Sequence, residues 1–115
     1  MSEVKLHVGD VDDMGKRFID AWKKMAKGQH VEERHLTFFS LDAMMATLSQ
    51  KRLEILKHLH RHQEKNVASL ARALSRDYKR VYTDVDALVA AGLLERDAQG
   101  IRTLYDSVQA TVSLN

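Results

Sequence analysis

Apolar and polar positions alternate with different spacings along the chain, and each change of spacing predicts an element. "VKLHV" (4–8) sets Val4, Leu6 and Val8 against Lys5 and His7, the period of a half-buried strand. Gly9-Asp10 breaks it, and Asp10 can then cap a helix. Val11, Met14, Phe18, Ala21, Trp22 and Met25 recur at three- and four-residue steps, one stripe of an amphipathic helix that Gly28 ends. "HLTFF" (35–39) reads as a second strand, with the first as its natural partner. Ser40 looks like the cap of a brief helix, "LDAMMATL". Ser49 caps "QKRLEILKHLHRHQ", whose Leu53, Ile55, Leu56 and Leu59 form an inward stripe.

Glu64-Lys65-Asn66 is a turn, and "VASLARALS" (67–75) a short helix with Leu70, Ala71 and Leu74 inward. "RDYKRVYTDVDALVAAG" (76–92) is one helix written in two vocabularies. Its start is cationic and aromatic, and its end is apolar and rich in alanine up to Gly92. On a wheel of about 100° per residue, Val81, Val85, Leu88 and Val89 share a side. Lys79, Tyr82, Thr83 and Asp86 lie opposite, flanked by Arg76 and Arg80. After Gly92 the period becomes two. "LLERD", "AQG" and "IRTLYD" predict a hairpin whose three-residue loop uses a positive φ at Gly100. "SVQATVSL" puts Val108, Ala110, Val112 and Leu114 on one face, as another strand or an extension of the second hairpin strand.

Charge sharpens this picture. Residues 1–48 hold 7 Lys/Arg and 8 Asp/Glu, residues 49–83 hold 9 and 3, and residues 84–115 hold 2 and 5. A basic patch inside a nearly neutral chain suits a surface that tracks phosphates, though a solvated helical face gives the same composition. The chain has no cysteine, hence no disulfide framework or thiolate chemistry. No apolar run is long enough to span a bilayer and the N-terminus lacks a signal-peptide layout, so a cytoplasmic protein without membrane contact is expected.

Helix, tight turn, helix, glycine and hairpin is the order of a winged helix-turn-helix. The expected fold class is therefore mainly α with a small β part (α+β). A strand–helix extension over 1–47 would precede a winged helix-turn-helix domain over 48–115. "LSQKRLEILKHL", "VASLARALSRDYKRVYTDVDALVAAGLLERD" and "YDSVQATVSL" resemble a prokaryotic family of winged-helix transcriptional regulators, distantly similar to MarR-type regulators. "DAWKKMAKGQ" and "LTFFSLDAMMATL" are similar to that family's N-terminal extension. Many of its members carry a proline near the wing and before the first core helix, and this chain has none.

The resemblance implies a double-stranded DNA partner. Carried onto this chain, it makes Arg76 and Lys79 phosphate contacts near the start of the recognition helix. Arg80 and Thr83 would reach base edges, arginine because its fork matches guanine O6 and N7. Tyr82 would stack on a sugar or donate to a phosphate, and Arg102 would reach a groove or backbone from near the wing tip. Lys51 and Lys65 would clamp the backbone. Asp86 would either accept from a cytosine amine or limit non-specific affinity. Asp84, at the edge of the apolar stripe, is expected to pair with Arg52 or Arg72 and orient the helix.

Weaker signals point elsewhere. His58 and His62 are spaced to share a metal, but no cysteine or second pair completes a ligand set, so no metal and no cofactor is expected. "GDVDD" lacks the later ligands of a calcium loop. No nucleophile or phosphate-loop motif stands out, so an enzyme is not expected. The stripe of Met14, Phe18, Trp22 and Met25 must be buried somewhere. Packing on the module is one solution, and a homodimer that aligns two recognition helices is the other. The leading expectation is a dimeric, non-catalytic transcription repressor. The alternative is an antitoxin that neutralises a toxin protein while autoregulating its operon, as some relatives are thought to do. A winged helix devoted to protein or RNA contacts is the third reading.

Overall fold

The computed structural model describes residues 3–9, 19 and 33–112. The helix expected over 11–27, with its Met14, Phe18, Trp22 and Met25 stripe, falls outside that description apart from Ile19, which is helical and half exposed. Leu114 also falls outside it. The architecture is α+β, with four helices and two small sheets among the described residues. The chain divides into two compact units, one of residues 1–44 with 107–115 and one of residues 45–106.

The first unit is built on strands β1 (Glu3–Val8), β2 (Glu33–Phe38) and β5 (Ser107–Val112), in the order β2-β1-β5. Val4 and Leu6 of the central strand are fully buried, as their alternation requires. The expected pairing of the first two strands occurs, in register from Glu3 with Glu33 to Val8 with Phe38. It is parallel, so the two strands cannot be joined as a tight hairpin. β5 also pairs parallel with β1, Leu6 opposite Ala110. The stretch "SVQATV" is thus a separate strand and does not extend the hairpin. A domain running from 48 to 115 would separate it from β1, the strand that holds its hydrogen bonds. Helix α1 (Leu41–Thr47) begins with the Ala43 N–H donating to Ser40 Oγ at 3.1 Å.

The second unit holds α2 (Gln50–Arg61), α3 (Val67–Leu74), α4 (Tyr78–Ala90) and the hairpin β3 (Leu94–Asp97)–β4 (Gly100–Thr103). Each helix is started by a polar side chain that accepts from its first turn. Ser49 accepts from the Arg52 N–H at 3.3 Å, and Asn66 accepts from the Ser69 N–H at 2.8 Å in a reciprocal box. Asp77 accepts from the Arg80 N–H at 3.1 Å. The α3–α4 connection is only residues 75–77 because Ser75 takes a left-handed conformation (φ 54°) that lets Arg76 N–H close on Ala71 O at 3.0 Å. α4 ends where Gly92, at φ 85°, lets Leu93 N–H reach back to Leu88 O at 2.9 Å.

Ile55, Leu56, Leu59, Val67, Leu70, Ala71, Val81, Val85 and Leu88 are the buried side chains of the three helices, joined by Leu93, Leu94, Ile101 and Tyr105 from the hairpin region. Leu53 and Leu74, expected inward, are half-buried. The hairpin differs from the sequence expectation in one detail. Asp97 pairs with Gly100, so the loop is the two residues Ala98 and Gln99, and Gly100 belongs to the strand. Its φ of 138° serves another contact. Glu64, between α2 and α3, bridges Ile101 with N–H···O distances of 3.3 and 2.8 Å. A Cβ on Gly100 would stand 2.4 Å from the Glu64 carbonyl oxygen.

Candidate functional site

α4 has the two faces its sequence predicts. Val81, Val85 and Leu88 are wholly buried, while Lys79, Arg80, Tyr82, Thr83 and Asp86 are exposed. The apolar face is therefore committed to the core, and the cationic face is left outward at the N-terminal half. Thr83 donates its hydroxyl to the Lys79 carbonyl at 3.0 Å, which fixes its rotamer and keeps the oxygen available as an acceptor.

Two clefts flank this face. One, of about 530 Å³, lies between the starts of α2 and α4 and is lined by Lys51, Lys79, Arg80 and Thr83, with the part-buried Arg76 and Asp84. The other, of about 460 Å³, is lined by Lys65, Asn66, Tyr78, Tyr82 and Arg96. The structure thus gathers Lys51, Lys79, Arg80 and Thr83 on one flank of α4 and Lys65 with Tyr82 on the other. Among the described residues, Lys51, Lys65, Lys79 and Arg80 have no carboxylate within ion-pair distance. That arrangement offers separated positive charges to one extended anion.

Two arginines expected to reach outward are held by carboxylates. Arg76 does not stand on the exposed face. Its side chain is 14% exposed and its Nη2 lies 2.8 Å from Asp84 Oδ2. Arg52 donates from Nε to the other oxygen of Asp84 at 3.0 Å. Asp84 is therefore paired internally, as expected, but with Arg52 and Arg76; Arg72 is exposed. Arg102 is likewise not free to reach outward from the wing. It donates to both oxygens of Asp97, at 3.2 and 2.7 Å, and to Glu95. The hydrogen bonds from Arg102, and then that from the Gln99 N–H at 2.9 Å, hold the Asp97 carboxyl down at about 2. Asp97 in turn raises Arg102 further above its usual value.

Two residues without an evident role in the sequence also lie on this side of α4. Tyr78 is half exposed beside Tyr82, ring centroids 6.0 Å apart, a pairing legible from their four-residue spacing. Arg96 lies over the Tyr82 ring at 5.5 Å and contacts Asp86 Oδ1 at 2.8 Å. No local spacing signals that contact, because it depends on the hairpin folding back along α4.

Four of the described histidines meet polar side chains nearby. His58 lies 2.9 Å from Glu64 Oε2, His60 3.1 Å from Asp106 Oδ1, and His7 2.7 Å from His35. Among the described residues, no three His, Asp or Glu side chains gather closely enough to hold a metal ion. No described helix is long and apolar enough to cross a membrane.

A family model, HVO_A0114, matches residues 47–110. No curated protein and no solved structure matches the chain. The matched stretch takes in α2, α3, α4, the hairpin and both clefts, and it covers more than half of the chain. The chain therefore belongs to the HVO_A0114 family.

Proposed function

We propose that this protein is a sequence-specific, double-stranded DNA-binding transcription regulator of the winged helix-turn-helix type, MarR-like in its module and without catalysis. The single observation that carries the reading is the division of α4, whose cationic N-terminal face is exposed while its opposite face is sealed in the core. In this reading α3 and α4 are the helix pair, and α4 enters the major groove by its N-terminal half. Lys79, Lys51 and Lys65 contact phosphates, and Arg80 with Thr83 addresses base edges. Tyr78 and Tyr82 face the sugar–phosphate backbone. Arg76 and Asp84 act from beneath, positioning the helix.

The test is selection of bound fragments from randomised duplexes, followed by affinity measurements across salt concentrations. The expected result is a recurrent motif, with affinity that falls steeply as salt rises. Failure to enrich any motif, together with flat salt dependence, overturns the reading.

A further inference from the structure

The two arginines of the hairpin are held in very different ways. Arg102 is gripped by Asp97 and Glu95 within its own hairpin, so its charge is spent there. Among the described residues, Arg96 has a single carboxylate partner, Asp86, which sits on the outer face of α4 in an ion pair whose side chains remain 34% and 48% exposed. Its guanidinium also rests over the Tyr82 ring, at the edge of the cleft that Lys65 shares. Arg96 is thus a cation kept in place by one weak, solvated bond and one aromatic face.

We propose that Arg96 is a DNA-contacting residue stored on Asp86 in the free protein, and that Asp86 thereby sets the discrimination between specific and random duplex. The inference rests on the DNA-binding reading above and adds a regulation of that site. On random duplex the pair stays closed, because releasing Arg96 leaves Asp86 facing phosphates with no donor. On the specific site, a base amine such as cytosine N4 supplies that donor in the groove. Arg96 then transfers to a phosphate beside the second cleft. The exchange replaces one charge-assisted hydrogen bond by another, so it needs no unfolding of the hairpin.

The experiment is a mutant cycle on the full chain with Asp86→Asn, Arg96→Gln and the double variant. Asp86→Ala runs in parallel as a second removal of the carboxylate. Each protein is titrated with a random-sequence duplex and with the selected duplex over a range of salt, and its thermal midpoint is recorded. Asp86→Asn should bind random duplex several-fold more tightly, with the log–log salt slope steeper by about one. Adding Arg96→Gln should cancel that gain. Arg96→Gln alone should weaken binding to the selected duplex and leave random-duplex binding nearly unchanged. If Asp86→Asn and Asp86→Ala strengthen binding equally with and without Arg96, the carboxylate merely repels phosphates and the proposal is overturned. Unchanged random-duplex affinity in both Asp86 variants overturns it as well. If the wild-type protein binds no duplex in a salt-dependent way, the DNA reading falls and takes this proposal with it.

Discussion

Arg52 Nε lies 3.0 Å from Asp84 Oδ1, and the same guanidinium donates from Nη1 to the carbonyls of Ala46 and Thr47 at 2.9 and 3.3 Å. One side chain therefore joins the C-terminal turn of α1 to the middle of α4. The second oxygen of Asp84 takes Arg76 from the α3–α4 turn. Replacing Asp84 with asparagine leaves two part-buried cations facing an amide. The expected cost is about 2 kcal/mol, less than for a fully buried pair because some solvent remains. Urea unfolding measures it, and an unchanged midpoint would remove Asp84 from its role as the helix's anchor.

The two faces of α4 give a paired prediction. Arg80→Ala should leave the unfolding midpoint nearly unchanged and lower discrimination for the selected duplex by about 1–3 kcal/mol. Leu88→Ala, at a wholly buried position, should instead cost about 2–5 kcal/mol of stability. Similar loss of folding in both would mean that the outward and inward faces have been exchanged.

Gly100 tests the hairpin's junction with the α2–α3 turn. An alanine there meets a backbone carbonyl at 2.4 Å and must hold a φ of 138° that L side chains rarely adopt. Backbone cannot retreat as a flexible side chain can, so the bridge from Ile101 to Glu64 must open. The expected loss is at least about 1–2 kcal/mol, read by thermal or denaturant unfolding. A stability equal to wild type would show that this bridge contributes nothing.

Acid should weaken the hairpin in a defined window. The folded Asp97 carboxyl is depressed from about 3.8 to about 2, chiefly by Arg102. A depressed acid contributes stability that is complete above its unfolded value and is lost as pH falls through its folded value. The stability difference between wild type and Asp97→Asn should therefore be constant at pH 5 and above. It should shrink between about pH 4 and pH 2. Melting curves across that range check it, and a pH-independent difference would rule out an Asp97 contribution of this kind.

The described helices were legible in the sequence because each carries an apolar stripe, with Ser49 ahead of one and Gly92 after the last; the caps Asn66 and Asp77 emerged only with the fold. The outward face of α4 followed from the same periodicity. Strand existence was legible too, and so was the pairing of the first two strands, but strand direction and the partner of β5 were not, since alternation in "VKLHV" and "SVQATV" states which face is buried and says nothing about the neighbour. Arg76 was misjudged for a related reason. Its position beside cations suggested an outward role, whereas Asp84, eight residues later, draws it inward through the left-handed turn at Ser75. Arg102 shows the same limit, because two acids and two arginines in one short hairpin can pair in several ways, and only the fold selects among them.

The parallel pairing of β1 with β5 has a kinetic consequence. Glu3 meets Ser107 only after almost the whole polypeptide has been arranged between them, so closing that ladder forfeits a large amount of chain freedom before any bond repays it. The helices of residues 45–106 rely on near neighbours and carry no such delay. In pulse-labelled refolding, amides of α2, α3 and α4 should become protected first, and those of β5 last.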